Sequence, residues 1–80
     1  MRLSDAGQKV AKHILNEIKN KHLVLPTEVS LKRLEEECEC RVQSIGMAHD
    51  DYIKPILLEN NINTVKRGTP VVIYLCYKKC

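Results

Sequence analysis

An α+β fold, three helices followed by a C-terminal β-hairpin, is what this chain predicts, and three observations predict it. Apolar residues recur at helical period through three successive segments before residue 60. After Asn61 the period falls to two. The stretch Lys66-Arg67-Gly68-Thr69-Pro70 then separates two apolar runs, which reads as a hairpin around a tight cationic turn. With 80 residues the chain is one domain, 1–80. A chain of that size buries only about 60–65% of its unfolded surface, so a dimer, a metal or disulfides would add to its stability. Phe and Trp are absent and Tyr numbers 3, so the core must be aliphatic.

Ser4 or Asp5 is placed to cap the first helix, and Asp5 with Gln8 has capping-box spacing. Val10, Ala11, Ile14, Leu15 and Ile18 then fall on one side, with Lys9, Lys12, Asn16 and Lys19 on the other. Leu23-Val24-Leu25-Pro26 ends this helix and has the composition of a short strand. Ser30 caps a second helix that turns Leu31, Leu34 and Cys38 inward and Glu35, Glu36, Glu37 and Glu39 outward.

Cys40-Arg41-Val42 reads as a turn into a third helix beginning near Gln43 or Ser44. Ile45, Ala48, His49, Tyr52, Ile53 and Ile56 share one face of it; Met47, Asp50, Asp51, Lys54 and Leu58 point the other way. Pro55 should kink or restart that helix, with Asp50 or Asp51 as the new cap. Asn60-Asn61 supplies a left-handed stop in place of glycine. In the hairpin, Gly68 turns the chain and Pro70 opens the returning strand. Val71, Ile73, Leu75 and Tyr77 line one side of that strand, Val72, Tyr74 and Cys76 the other.

The net charge of +3 is unevenly distributed. Residues 1–25 carry Arg2, Lys9, Lys12, Lys19 and Lys21 against Asp5 and Glu17. Residues 26–60 carry eight acids against four bases, whereas Lys66, Arg67, Lys78 and Lys79 in residues 61–80 face no acid at all. Both ends are basic and the middle is acidic. There is no run of ~18 apolar residues and no signal-peptide start, so the expectation is a cytoplasmic protein without a membrane span.

Helix, helix, turn, helix, then hairpin is the order of the winged helix-turn-helix family, and the residues resemble it. SLKRLEEECECRV, from Ser30, is similar to the family's second helix and turn, with Cys38 and Cys40 where aliphatics usually sit. ILLENNINTVKRGTPVVIYL, from Ile56, is similar to the end of a recognition helix running into the wing. The resemblance covers residues 30–77 and implies double-stranded DNA as the partner, with a helix in the major groove and the wing along the backbone or minor groove. It assigns contacts to Lys66, Arg67, Gly68 and Thr69 in the wing. On the candidate recognition helix it assigns Arg41, Gln43, Ser44, Met47 and Lys54.

Departures from the family pattern shape that expectation. Glu35 and Glu39 stand where small residues and a turn glycine are common, and Asp50 and Asp51 face outward against Lys54. Duplex DNA presents one phosphate charge per ~1.7 Å of axis and would repel such a face, so the wing should supply more of the binding. The function expected is duplex DNA binding by a homodimer, as a transcriptional regulator, a plasmid or phage accessory factor, or an architectural protein. Two alternatives stand beside it: a protein-interaction module that uses its acidic helix faces, and a thiol- or metal-responsive regulator.

Cys38-Glu39-Cys40 and Cys76-Tyr77-Lys78-Lys79-Cys80 give four thiols, the number a structural zinc takes, but neither spacing is the usual CxxC knuckle. Cys38 and Cys40 are read as core residues, and no metal or other cofactor is expected. His49 is read as a hydrogen-bonded core group, His13 and His22 as surface residues. Asp50 and Asp51 are adjacent, and 3 Gly leave no phosphate loop or nucleophile elbow. Neither an enzyme nor a small-molecule substrate is expected.

Overall fold

Three of the described residues other than glycine adopt a left-handed backbone, and each ends a helix: Lys21 (φ 63°), Glu39 (φ 57°) and Asn61 (φ 63°). They set the path of the chain, which the computed structural model describes over residues 2–78. α1 (Leu3–Lys19) closes where Lys21 turns, with His22 N donating to Glu17 O at 2.8 Å. β1 (Thr27–Ser30) and α2 (Leu31–Cys38) follow. α3 (Val42–Ala48), a π-helical turn (His49–Ile53) and α4 (Lys54–Glu59) run on as one rod. β2 (Ile62–Arg67) and β3 (Val72–Tyr77) form the hairpin. The architecture is α+β: three helical rods packed on a three-stranded antiparallel sheet in the order β1-β3-β2.

The core is aliphatic. Val10, Ala11 and Ile14 of α1, Leu31, Leu34 and Cys38 of α2, and Ile45, Ala48, Ile53 and Leu57 of the third rod are buried against Val29, Ile73 and Leu75 of the sheet. β3 lies in the middle of the sheet, so Val29 opposes Ile73 on one side and Thr64 opposes Leu75 on the other. Period-two alternation turns Ile62, Thr64, Ile73 and Leu75 toward the helices, and leaves Glu28, Val65 and Arg67 exposed on the far face.

Ser30 caps α2 as expected, accepting from Arg33 N at 3.1 Å. Asn61 supplies the left-handed stop after α4. Several boundaries differ from expectation. α1 begins at Leu3 with Arg2 as its cap, so Ser4 and Asp5 lie inside the first turn. Leu3 packs against the core and draws the helix start toward the N-terminus. The strand lies at Thr27–Ser30 rather than Leu23–Leu25, because it is the former that reaches the open edge of β3. Leu23 drops into the core while Val24 stays 75% exposed. α3 starts at Val42, slightly earlier than expected. Pro70 belongs to the turn, and Val72 opens β3; Val71 and Tyr77, on the side that Ile73 and Leu75 bury, are themselves exposed.

Pro55 does not restart the rod with an aspartate cap. The π turn absorbs it: Lys54 N donates to His49 O across the wider turn, and Pro55 falls at the start of α4, where its missing N–H costs little. One extra residue in a turn rotates the rest of the helix by ~100°. That rotation buries Leu57 fully and leaves Ile56 and Tyr52 only partly covered, although the expected face held both.

Candidate nucleic-acid interface

The start of α3 is built by its neighbour. Glu39 reverses the chain, Cys40 enters the core and Arg41 is the extended N-cap, without a side-chain capping bond of its own. Glu35 of α2 supplies the cap instead: its Oε2 accepts from Val42 N at 2.8 Å. From this start Arg41, Gln43, Met47 and Asp50 are exposed, Ser44 and Gly46 half-buried. Arg41 and Ser44 share a shallow hollow with Glu39 and Cys40.

The hairpin's two cations part company. Lys66 and Arg67 are the last residues of β2, ahead of the turn rather than at its tip, and alternation sends them to opposite faces of the sheet. Lys66 turns inward, and its Nζ donates to Gly46 O of α3 at 2.9 Å. Arg67 turns outward, where its Nε donates to Glu28 Oε2 at 3.2 Å and its guanidinium lies 4.3 Å over the Tyr74 ring. Gly68 (φ 88°) and exposed Thr69 form the tip with Pro70. Leu31, Gly46, Lys66, Arg67, Gly68 and Val71 line one cleft, so the wing-like hairpin lies directly beside α3.

Of the residues expected to meet a ligand, Lys66 therefore meets α3 at Gly46, Arg67 turns away to Glu28 and Tyr74, and Arg41 and Ser44 gather nearer the start of that helix. Lys54 lies beyond the π turn and is half-buried. Sequence reasoning missed the partners that already hold these charges. Glu28 is 39 residues from Arg67, Gly46 is 20 from Lys66, and no local spacing announces either. The Glu35 cap lies seven residues from Val42, beyond any capping-box pattern.

His49 is the buried polar centre of the rod. Its Nδ1 is 2.8 Å from Asp50 Oδ1 and its Nε2 is 2.8 Å from Thr64 Oγ1. Burial lowers the pKa of His49, against the opposing pull of Asp50. A neutral ring satisfies both neighbours by donating from Nδ1 to Asp50 and accepting the Thr64 hydroxyl at Nε2. Asp50 is in turn held below the usual carboxyl range by that hydrogen bond and by Lys66. Asp–His–Thr has the order of a proton relay, and its Thr64 end is 0% exposed. The trio fastens the rod to β2.

Cys38 and Cys40 are both buried, and the Cys40 thiol donates to Cys38 O at 3.4 Å. Burial, with the charges of Cys40 and Glu37, pushes the Cys38 thiol up to about 11. Cys76 is buried on β3, and Cys80 lies outside the described residues. No helix among the described residues is long and apolar enough to cross a membrane.

Comparison with protein-family models, with curated proteins and with solved structures finds no match for this chain.

Proposed function

We propose that this chain is a winged helix-turn-helix that binds double-stranded DNA, with α3 and the β2–β3 hairpin as one surface. The observation that carries the reading is the bond from Lys66 Nζ to Gly46 O, which holds the hairpin against α3 at half-buried Gly46. The element order and the β1-β3-β2 sheet are compatible with that family's layout. Arg41, Gln43, Ser44 and Met47 are the contacts on the helix. Gly68, Thr69 and Arg67 are the contacts on the wing, and Lys54 lies farther along the same rod. Lys66 acts chiefly by positioning, since its charge is already engaged by α3 and lies near Asp50.

The chain acts as a homodimer in this reading. Val24 and Tyr77, 75% and 53% exposed, share a hollow with Ile18 and Leu25, edged by Lys19 and Lys21, that suits self-association. Sedimentation as a monomer at micromolar concentration would remove that part of the proposal.

The test is duplex affinity across a salt series for the parent and for Arg41→Ala/Arg67→Ala. Each lost phosphate contact lowers the slope of log affinity against log salt by ~0.9, so the double variant should lose ~1.8 per subunit. Unchanged slope and affinity would sink the DNA reading.

A second reading has its own support. Glu35 already occupies the start of α3, and Asp50 and Asp51 are exposed beyond it. A basic protein partner would dock on those carboxylates. Asp50→Asn/Asp51→Asn should raise duplex affinity or leave it alone under the first reading, and abolish partner binding under the second.

A further inference from the structure

Away from that surface, the structure gathers a second group of polar side chains where α1 meets α2. His13 and Glu17 stand one turn apart on α1, and Glu37 comes from the C-terminal half of α2. His13 Nε2 is 2.6 Å from Glu37 Oε1 and 3.7 Å from Glu17 Oε1, and the three donor atoms all lie within 4.8 Å of one another. A second imidazole arrives from beyond the helix. The left-handed turn at Lys21 brings His22 back, so that its Nδ1 is 2.6 Å from Glu17 Oε2.

We propose that His13, Glu17 and Glu37 form a zinc site joining α1 to α2, with His22 as the fourth ligand.

The chemistry favours zinc among the common ions. Two imidazoles and two carboxylates are a tetrahedral N2O2 set, and two carboxylates balance the charge of a dication. Bonds of ~2.0–2.1 Å place tetrahedral ligand atoms roughly 3.3 Å apart. The two distances from His13, 2.6 and 3.7 Å, straddle that spacing. Magnesium and calcium want six or more oxygens, which these residues do not offer. His22, its side chain 64% exposed, reaches the site through Glu17, whose Oε2 lies 2.6 Å from its Nδ1. Arg33 Nε donates to Glu37 Oε2 at 2.9 Å and leaves Oε1 turned to His13, while its Nη2 lies 4.0 Å from Glu17 Oε1 and would swing outward as the ion enters. The sequence drew attention to the cysteines for metal, with His49 read as a core group and His13 and His22 as surface residues. His13 and Glu37 are 24 residues apart, and only the packing of α1 on α2 joins them.

The experiment titrates EDTA-stripped, reduced protein with zinc chloride, read by calorimetry and by Tm. One ion should bind per chain, and Tm should rise with zinc concentration as it does for any ligand that binds only the folded state. His13→Ala and Glu37→Gln should each weaken binding by ~10-fold or more, and His22→Ala by less. Cobalt(II) bound to the parent should give the intense visible absorption of a tetrahedral ion, without the near-ultraviolet band of thiolate ligands. A His13→Ala chain that folds and keeps parental affinity overturns the proposal. So does zinc binding that vanishes when all 4 Cys become Ser, or the absence of any heat and Tm response in the parent.

Discussion

Thr64 and His49 meet at 2.8 Å where both residues are almost completely buried, and this contact ties the hairpin to the third rod. Thr64→Val would keep the shape and remove the hydroxyl, leaving the ring's Nε2 buried without a partner. The expected loss is about 1–3 kcal/mol, read from urea unfolding at neutral pH. The same pair predicts a pH dependence. His49 is held neutral by burial, so its folded pKa lies below the ordinary 6.5. The unfolded chain therefore takes up a proton first, and stability present above about pH 6.5 drains away as pH falls below it. Glu37, whose carboxyl is held below 4.5 by Arg33 and His13, loses its contribution only at lower pH. Replacing Asp50 by Asn removes a group that favours the charged ring, so the loss between pH 7 and 5 should steepen. A variant whose stability is flatter than the parent's over that interval would refute the assignment.

Gly7 lies inside α1, where alanine normally stabilises a helix by about 1 kcal/mol. Here the sign reverses. A Cβ at Gly7 would fall 2.3 Å from Tyr52 Cβ and 3.6 Å from Ala48 Cβ, and neither atom can move without its helix. Gly7→Ala should cost about 1–3 kcal/mol as an overpacked contact between α1 and the π turn. A thermal midpoint equal to or above the parent's would show that the two helices do not approach so closely.

The thiol-responsive alternative meets a direct test at Cys38. A buried thiol pushed to about 11 is almost wholly protonated at neutral pH, and the thiolate is the reactive form. Cys38 should resist iodoacetamide in the native chain and react on unfolding, with peptide mass mapping to locate the label. Rapid native labelling at Cys38 would reopen the sensor reading.

Local chemistry was legible in the sequence. The Ser30 cap, the inward set Leu31, Leu34 and Cys38, the Asn61 stop and the period-two hairpin all depend on near neighbours. The α+β class came from the same signals. The third strand did not, because Thr27–Ser30 is only four residues long and is a strand by virtue of pairing with β3. The π turn was hidden because Pro55 signals a break without saying how the rod absorbs it. At the candidate interface the residue types were legible but their engagements were not. Whether Lys66 is free or tied to Gly46 depends on a contact spanning 20 residues.

Glu35 offers the sharpest separation of the two leading functions. Its carboxylate does two jobs at once: it caps Val42 N, and it places a negative charge at the start of the helix proposed to meet DNA. Glu35→Gln keeps an acceptor of the same reach and removes the charge, so the fold should survive with little change in stability. Glu35→Ala removes the cap as well and should cost about 1 kcal/mol. Phosphates are repelled by that carboxylate, so on the DNA reading the Gln variant should bind duplex more tightly, with the gain shrinking as salt is raised. On the protein-partner reading the same carboxylate is a contact, and the Gln variant should lose its partner. Duplex affinity of parent and both variants at low and high salt decides the matter. A Glu35→Gln chain that folds like the parent and binds duplex more weakly at low salt would rule out phosphate contact at the start of α3.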